Sequence, residues 1–209
     1  MEKYSENTVL IIGAGGHAKV IAEIFGEGGV RIAGFVTLDG SNQPFCGQIV
    51  YPEDQLPNIL LRGIRNIFPA VGDNRLRHIL ATRAEELGFN IINALDPRSH
   101  ISRTANLGKG IAIMPGASVN ASTTINDFAI INTNASVDHD CFVGTAVHIA
   151  PGVTLSGNVR IGNFSTIGTG SSVRENIVVG SSTMVGVGSV VVGDIPDDVT
   201  AFGNPARIF

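Results

Sequence analysis

The sequence predicts two domains in series: a small α/β domain with a parallel sheet over residues 1–96, then a parallel β-helix over 97–209. Three observations predict it. From Ile101 through Ile149 to Val191 every sixth residue is Ile, Leu or Val, without a break. Neither the helical period near 3.6 nor the strand period of 2 gives this pattern. A six-residue repeat marks a β-helix of about five coils here, in which short strands make flat sides and stacked coils bury a ladder of aliphatics. Before residue 97 the pattern is instead one of strands alternating with helices, the mark of a doubly wound parallel sheet. Asp96-Pro97 separates the two, because proline cannot continue a strand ladder.

In chain order, Val9 to Ile12 is a short apolar run that fits a buried strand. Gly13-Ala-Gly-Gly-His-Ala18 follows at once, and His17 to Phe25 has helical spacing through Val20, Ile21, Ile24 and Phe25. Ile32 to Leu38 reads as a second strand and Asn66 to Val71 as another. Leu76, Ile79, Leu80, Arg83, Ala84 and Leu87, closed by Gly88, mark an amphipathic helix with a C-terminal glycine. Asn90 to Leu95 completes a third crossover unit, so a sheet of four or five strands is expected. Within the β-helix, the position two before each ladder aliphatic also points inward. Small residues dominate it, including Ala105, Ala117, Cys141, Ser165 and Ser189. After Val191 the repeat stops, and the tail Ala201 to Phe209 is expected to cover the open end.

Composition excludes several classes. A net charge of −4 gives no footprint for nucleic acid or an anionic membrane. No apolar run approaches the roughly 20 residues that span a bilayer, and Met1 to Thr8 is polar rather than signal-like. Cys46 and Cys141 make neither a disulfide framework nor a zinc pattern. A cytoplasmic protein is expected.

Gly13-x-Gly15-x-x-Ala18, after a strand and before a helix, is a phosphate-binding arrangement: free backbone N–H groups and a helix N-terminus face an anion. The 96 residues before the β-helix are too few for two mononucleotide halves, which argues against a dinucleotide. His17 is either a solvated first-turn residue or a ring beside a phosphate. Asp39 is either a turn residue or an acceptor for a ribose or base.

In the β-helix, His139 lies two residues after an inward aliphatic and so points outward, flanked by Asp138 and Asp140. A carboxylate within reach orients a histidine ring and raises its basicity. His148, nine residues later, also points outward. That spacing, with His100 ahead of the first full hexad, does not suit a zinc site, and no metal is expected.

These residues carry a resemblance. The hexads, Ile131-Asn-Thr-Asn-Ala-Ser-Val-Asp-His-Asp-Cys-Phe-Val-Gly144, Val147-His-Ile-Ala-Pro-Gly152 and the terminal Gly203-Asn-Pro-Ala-Arg207 resemble the nucleotide-sugar acetyltransferases of bacterial glycan synthesis. Gly13-Ala-Gly-Gly-His17 and Ala70-Val-Gly-Asp-Asn-Arg75 resemble their sugar-nucleotide domain, so the likeness spans nearly the whole chain. It implies a Rossmann-like N-terminal domain that binds the nucleotide sugar, a left-handed coil, a homotrimer with active sites between subunits, and acetyl-CoA as co-substrate. It also implies His139 as catalytic base and Asp140 as the group that orients it, with a side chain one methylene shorter than the glutamate of many members. His148, Gly157, Thr169, Gly186, Pro205 and Arg207 match positions facing acetyl-CoA, with the Gly157 N–H donating to the acetyl carbonyl. Gly15, Gly16, His17, Asp39, Asn74, Arg77 and Asn132 match nucleotide-sugar contacts.

The implied activity is acetyl transfer to the 4-amino group of a nucleoside-diphosphate-linked 4-amino-4,6-dideoxy sugar, by direct attack. A histidine with a pKa of about 6.5 is suited to take the amine proton near neutral pH. Two further readings stay open from the residues: O-acetylation of a sugar hydroxyl, as in sialic acid modification, and a non-catalytic trimeric scaffold that binds a ligand.

Overall fold

The computed structural model describes residues 7–209, so the polar start of the chain lies outside the described residues as far as residue 6. The chain divides into two compact units, residues 1–96 and 97–209.

The N-terminal unit is built on β1 (Thr8–Ile12), α1 (Gly16–Glu27), β2 (Arg31–Thr37), β3 (Asp39–Phe45), β4 (Gln48–Pro52), α2 (Leu56–Leu61), β5 (Asn66–Pro69), α3 (Asn74–Glu86) and β6 (Asn90–Ile91). The sheet order is β3-β4-β2-β1-β5-β6. All neighbours are parallel except β3, which runs antiparallel to β4 at the edge. All five β1 residues are buried, as expected of a central parallel strand covered on both faces. On one face Phe25 of α1 meets Phe68 of β5 edge-to-face, with ring centroids 5.6 Å apart. Because β2 and β5 flank β1, the chain reverses its winding there, and the loops after β1 and β5 open at one switch point.

Two expectations change. The sheet has six strands rather than four or five, because the polar stretch after Leu38 folds as the β3–β4 hairpin instead of a loop. The buried face of α3 is Arg77, Ala81 and Ala84, while Leu76 and Ile79 are left exposed. Leu76 borders a cavity, and Leu80 borders the same cavity while packing against the core.

The C-terminal unit is a left-handed parallel β-helix. From His100–Ile101 to Val190–Val191 its strands are two residues long, and the second residue of each is the hexad aliphatic. Register is fixed at 18 residues: Val119 pairs with Val137, Leu155 with Val173, and Ile131 with Ile149. The stacked aliphatics from Ile111 to Val191 form one continuous buried cluster. At every sixth residue from Gly110 to Gly188 the backbone turns through positive φ. Glycine fills some of these corners, but Asn134, Asp140, Asn158 and Asn176 fill others, consistent with the tolerance of Asn and Asp for this region. The buried hydroxyls in the second inward row have a structural reason. Ser165 Oγ donates to Gly180 O at 2.6 Å and accepts from Thr183 N at 2.9 Å, so it satisfies a corner carbonyl and a strand amide together. The tail closes the ladder. Thr200–Gly203 adds in parallel to Met184–Val185, and Ala206–Ile208 returns antiparallel on it.

Candidate active site

In the β-helix the site is built around a corner. Asp138 Oδ1 accepts from the His139 backbone N–H at 2.8 Å and from Asn120 Nδ2 at 3.0 Å. Thr123 Oγ1 donates to Asp138 O at 2.6 Å. The coil beneath thus clamps the backbone that carries His139, and the bonds from the His139 N–H and then the Asn120 amide hold the Asp138 carboxyl below its ordinary pKa. Asp140 sits at a positive-φ corner, and its Oδ2 lies 2.7 Å from His139 Nδ1. The shorter side chain therefore still reaches the ring. Nδ1–H donates to the carboxylate, and Nε2 keeps its lone pair for a substrate proton. The bond to Asp140, then the charge of Asp138, raise the His139 pKa above 6.5. Both side chains are 59% exposed, so the pair faces outward.

One coil on, Gly157 lies directly under the ring. A Cβ there would stand 2.6 Å from His139 Cε1 and 2.7 Å from Nε2. Ser156 N–H donates to Val173 O and Asn158 N–H to His139 O, whereas the Gly157 N–H between them takes no part in the bonds that tie the coils together. An amide donor and a lone-pair base therefore occupy adjoining positions on one surface.

His148 and Asn132 form a second pair. Asn132 Oδ1 accepts from Thr133 N at 2.8 Å, which turns its amide nitrogen to His148 Nε2 at 3.0 Å. His148 Nε2 is then an acceptor, and the neutral ring carries its proton on Nδ1. Asn132, matched to a nucleotide-sugar contact, thus bonds directly to His148, matched to acetyl-CoA. Cys141 is buried, its Sγ donates to Ser156 O at 3.2 Å, and burial pushes the thiol pKa up, so it supplies no thiolate nucleophile.

Farther along the coil, Thr169 is exposed beside the Gly170 corner. Gly186 donates to Ala201 O and its carbonyl accepts from Ser171 Oγ and Ser189 Oγ, and a Cβ there would stand 2.7 Å from Phe202 Cβ. Pro205 stands at the hairpin turn of the tail, and the guanidinium of Arg207 is exposed beyond it.

In the N-terminal unit the Gly13–Gly15 loop ends at α1. Gly13 takes φ +109 and passes so near Ala70 O that a Cβ would lie 2.7 Å from it, whereas Gly15 and Gly16 have open space where a Cβ would be. No side chain caps α1. A helix N-terminus that follows a glycine loop and has no side-chain cap is the arrangement an anion site uses. α3 differs, because Asp73 Oδ1 caps it by accepting from Leu76 N at 2.8 Å. Arg77, matched to a nucleotide-sugar contact, is fully buried. Its guanidinium donates to Val71 O and Gly72 O at 3.0 Å and to Asn74 Oδ1 at 2.8 Å, so it shapes the loop after β5. Burial lowers its pKa to about 10. Asn74 is half-buried at the start of α3, and Asp39 is exposed at the start of β3. A cavity of about 330 Å³ opens between the β1, β2 and β5 ends, bordered by Gly13, Val36 and Val71.

Known proteins share the sequence and fold of this chain. The family model for the PglD N-terminal domain matches residues 8–84. The perosamine N-acetyltransferase of Caulobacter crescentus, solved with CoA and GDP-perosamine, shares 40% identity over 98% of both chains with a TM-score of 0.95. The chain belongs to the nucleotide-sugar acetyltransferases of the hexapeptide-repeat superfamily. The acetyltransferase domain of PglB from Neisseria gonorrhoeae, solved with acetyl coenzyme A, shares 40% identity over 98% of this chain and 100% of that one, with a TM-score of 0.93. WeeI from Acinetobacter baumannii, at 24% identity and a TM-score of 0.89, shares the fold. An uncharacterized protein of Acanthamoeba polyphaga mimivirus is 32% identical over 124 residues, 59% of this chain but only 24% of that protein. The chain thus spans about a quarter of the length of that curated relative.

Three features of this candidate site escape the motif reading: Asn120, Thr123 and the backbone-facing role of Asp138. The signal was present. Asn120 precedes Asp138 by 18 residues, one coil, the offset at which corner side chains meet.

The His139–Asp140 pair makes a pH prediction. A histidine base works only with Nε2 unprotonated, so kcat/KM is expected to rise with pH through a His139 pKa lying above 6.5. Asp140→Asn removes the largest cause of that upward shift. Its acidic limb is expected at lower pH than in wild type, on a plateau about tenfold lower as ring orientation is lost. A pH–rate profile of both proteins measures it, and coincident limbs refute the pairing.

Proposed function

We propose that the chain transfers acetyl from acetyl-CoA to the 4-amino group of a nucleoside-diphosphate-linked 4-amino-4,6-dideoxy sugar. The observation that carries this reading is the His139 ring, bonded through Nδ1 to Asp140 and lying over Gly157. The neutral amine attacks the thioester carbonyl, and His139 Nε2 accepts the proton that the nitrogen sheds as the tetrahedral intermediate forms. The Gly157 N–H donates to the developing oxyanion, a contribution of about 3 kcal/mol for a well-placed amide. The intermediate collapses by breaking the C–S bond, and the imidazolium returns its proton to the coenzyme A thiolate. Two substrates held in register react without a covalent enzyme intermediate, which suits a site whose nearby cysteine is buried and protonated.

In this reading Gly15, Gly16 and His17 hold the diphosphate. Asp39 and Asn74 border the nucleoside, Asn132 and His148 orient the acetyl and sugar groups, and Thr169, Gly186, Pro205 and Arg207 line the coenzyme A path. The enzyme acts as a homotrimer in the cytoplasm with active sites between subunits, and it uses no metal. Among the described residues no helix is long and apolar enough to cross a membrane.

Free-thiol release from acetyl-CoA, with a panel of nucleotide-linked 4-amino sugars, tests the proposal. Turnover with an amino sugar is expected. Silence across the panel, with acetyl-CoA still raising the melting temperature, would move the assignment to O-acetylation. No thermal shift would favour the scaffold.

A further inference from the structure

We propose that the cavity of the N-terminal unit is a guanine pocket and that Glu53 reads the base. The inference rests on the nucleotide-sugar reading above and names which nucleotide the site takes.

Position comes first. The cavity opens beside the Gly13 loop, so a diphosphate at the first turn of α1 places its nucleoside toward it. Its volume of about 330 Å³ falls within the range of small-molecule sites. Its walls are aliphatic: Leu38 after β2, Leu56 at the start of α2, and Leu76 and Leu80 on α3. Leu38 is 75% and Leu76 46% exposed, an arrangement that leaves large apolar faces open for a flat ring to cover.

Specificity comes from the charged groups on that wall. Glu53 opens a short 3-10 helix, Glu53–Gln55, and its backbone N–H donates to Leu38 O at 3.3 Å. Its Oε1 accepts from Arg83 Nη1 at 2.8 Å. The two ends of this pair differ: the Glu53 side chain is 16% exposed and that of Arg83 64%. The carboxylate is therefore the inner partner, on the cavity wall, and Arg83 neutralises it from outside. Each carboxylate oxygen accepts two hydrogen bonds, so pairing with Arg83 leaves acceptor capacity on both.

An ionised carboxylate only accepts, and it discriminates among bases accordingly. Guanine presents two adjacent donors on one edge, N1–H and the N2 amino group. Uracil and thymine flank a single N–H with carbonyl oxygens, which would face the carboxylate lone pairs. Cytosine and adenine set a bare ring nitrogen beside their amino group. Only guanine matches both carboxylate oxygens, and charge-assisted bonds are the stronger kind.

Calorimetric titration of the full chain with GDP, UDP and dTDP tests the proposal, with Glu53→Gln alongside. GDP is expected to bind at least about tenfold tighter than UDP or dTDP. In Glu53→Gln, GDP affinity is expected to fall at least about tenfold, with UDP affinity within about twofold of wild type. If the variant melts early, the wild-type preference and Glu53→Asp decide. Equal affinity for all three diphosphates overturns the guanine assignment while the nucleotide-sugar reading stands. Unchanged GDP affinity in a folded Glu53→Gln removes Glu53 as the reader. Failure of every diphosphate to bind overturns the nucleotide-sugar reading itself.

Discussion

His139→Ala is expected to lower kcat by at least about a hundredfold while acetyl-CoA binds as in wild type. The ring is mostly exposed and packs on nothing that the fold needs, so its loss should leave the melting temperature unchanged. The turn that carries it is held by the Asp138, Asn120 and Thr123 side chains and by the Asn158 N–H on its own carbonyl, none of which uses the imidazole. Thiol-release kinetics with calorimetry of acetyl-CoA binding separate the two effects. Wild-type turnover in the variant would remove His139 as the base and require another proton acceptor.

Gly157→Ala is expected to cost about tenfold to a hundredfold in kcat, although it adds a single methyl group. The new Cβ would stand within 2.7 Å of two ring atoms of His139, so the ring must swing away. The movement costs little stability because the ring is exposed, but it breaks the 2.7 Å contact with Asp140 and removes Nε2 from beside the Gly157 amide. Gly193→Ala is the control, since an added Cβ there meets nothing within 4 Å. Kinetics and melting curves of both variants decide. If Gly157→Ala keeps its rate, the stacked ring is not the working position of the base.

Much of this could be read in the sequence because the β-helix has no freedom to hide its pattern. A ladder position one residue out of register would put Ile131 or Val137 in solvent, so the hexads fix strands, corners and the outward direction of His139 together. The loop from Gly13 to Ala18 is equally direct, because a strand, a positive-φ glycine and an uncapped helix leave few alternatives. The β3–β4 hairpin was not legible: Asp39 to Phe45 has no apolar alternation and carries a proline, as an exposed edge strand can. α2 is only six residues, too short to display a helical period. The Arg77 position could not be read either. Helical spacing places Leu76 and Ile79 inward, but three acceptors after β5 take up the guanidinium and draw Arg77 in, leaving Leu76 to border a cavity and Ile79 exposed. Glu53 had no motif at all, and its meaning comes from the pairing with Arg83, thirty positions on.

The most direct test of the central claim is the identity of the product after acetyl-CoA and a nucleotide-linked 4-amino sugar are incubated with the protein. Mass spectrometry before and after hydroxylamine treatment reads it, since hydroxylamine cleaves acetyl esters and spares acetamides. An acetylated sugar that survives treatment, formed by the wild type and lost in His139→Ala, is the predicted result. A hydroxylamine-labile product, or no acetylated sugar with acetyl-CoA bound, would contradict transfer to the amine.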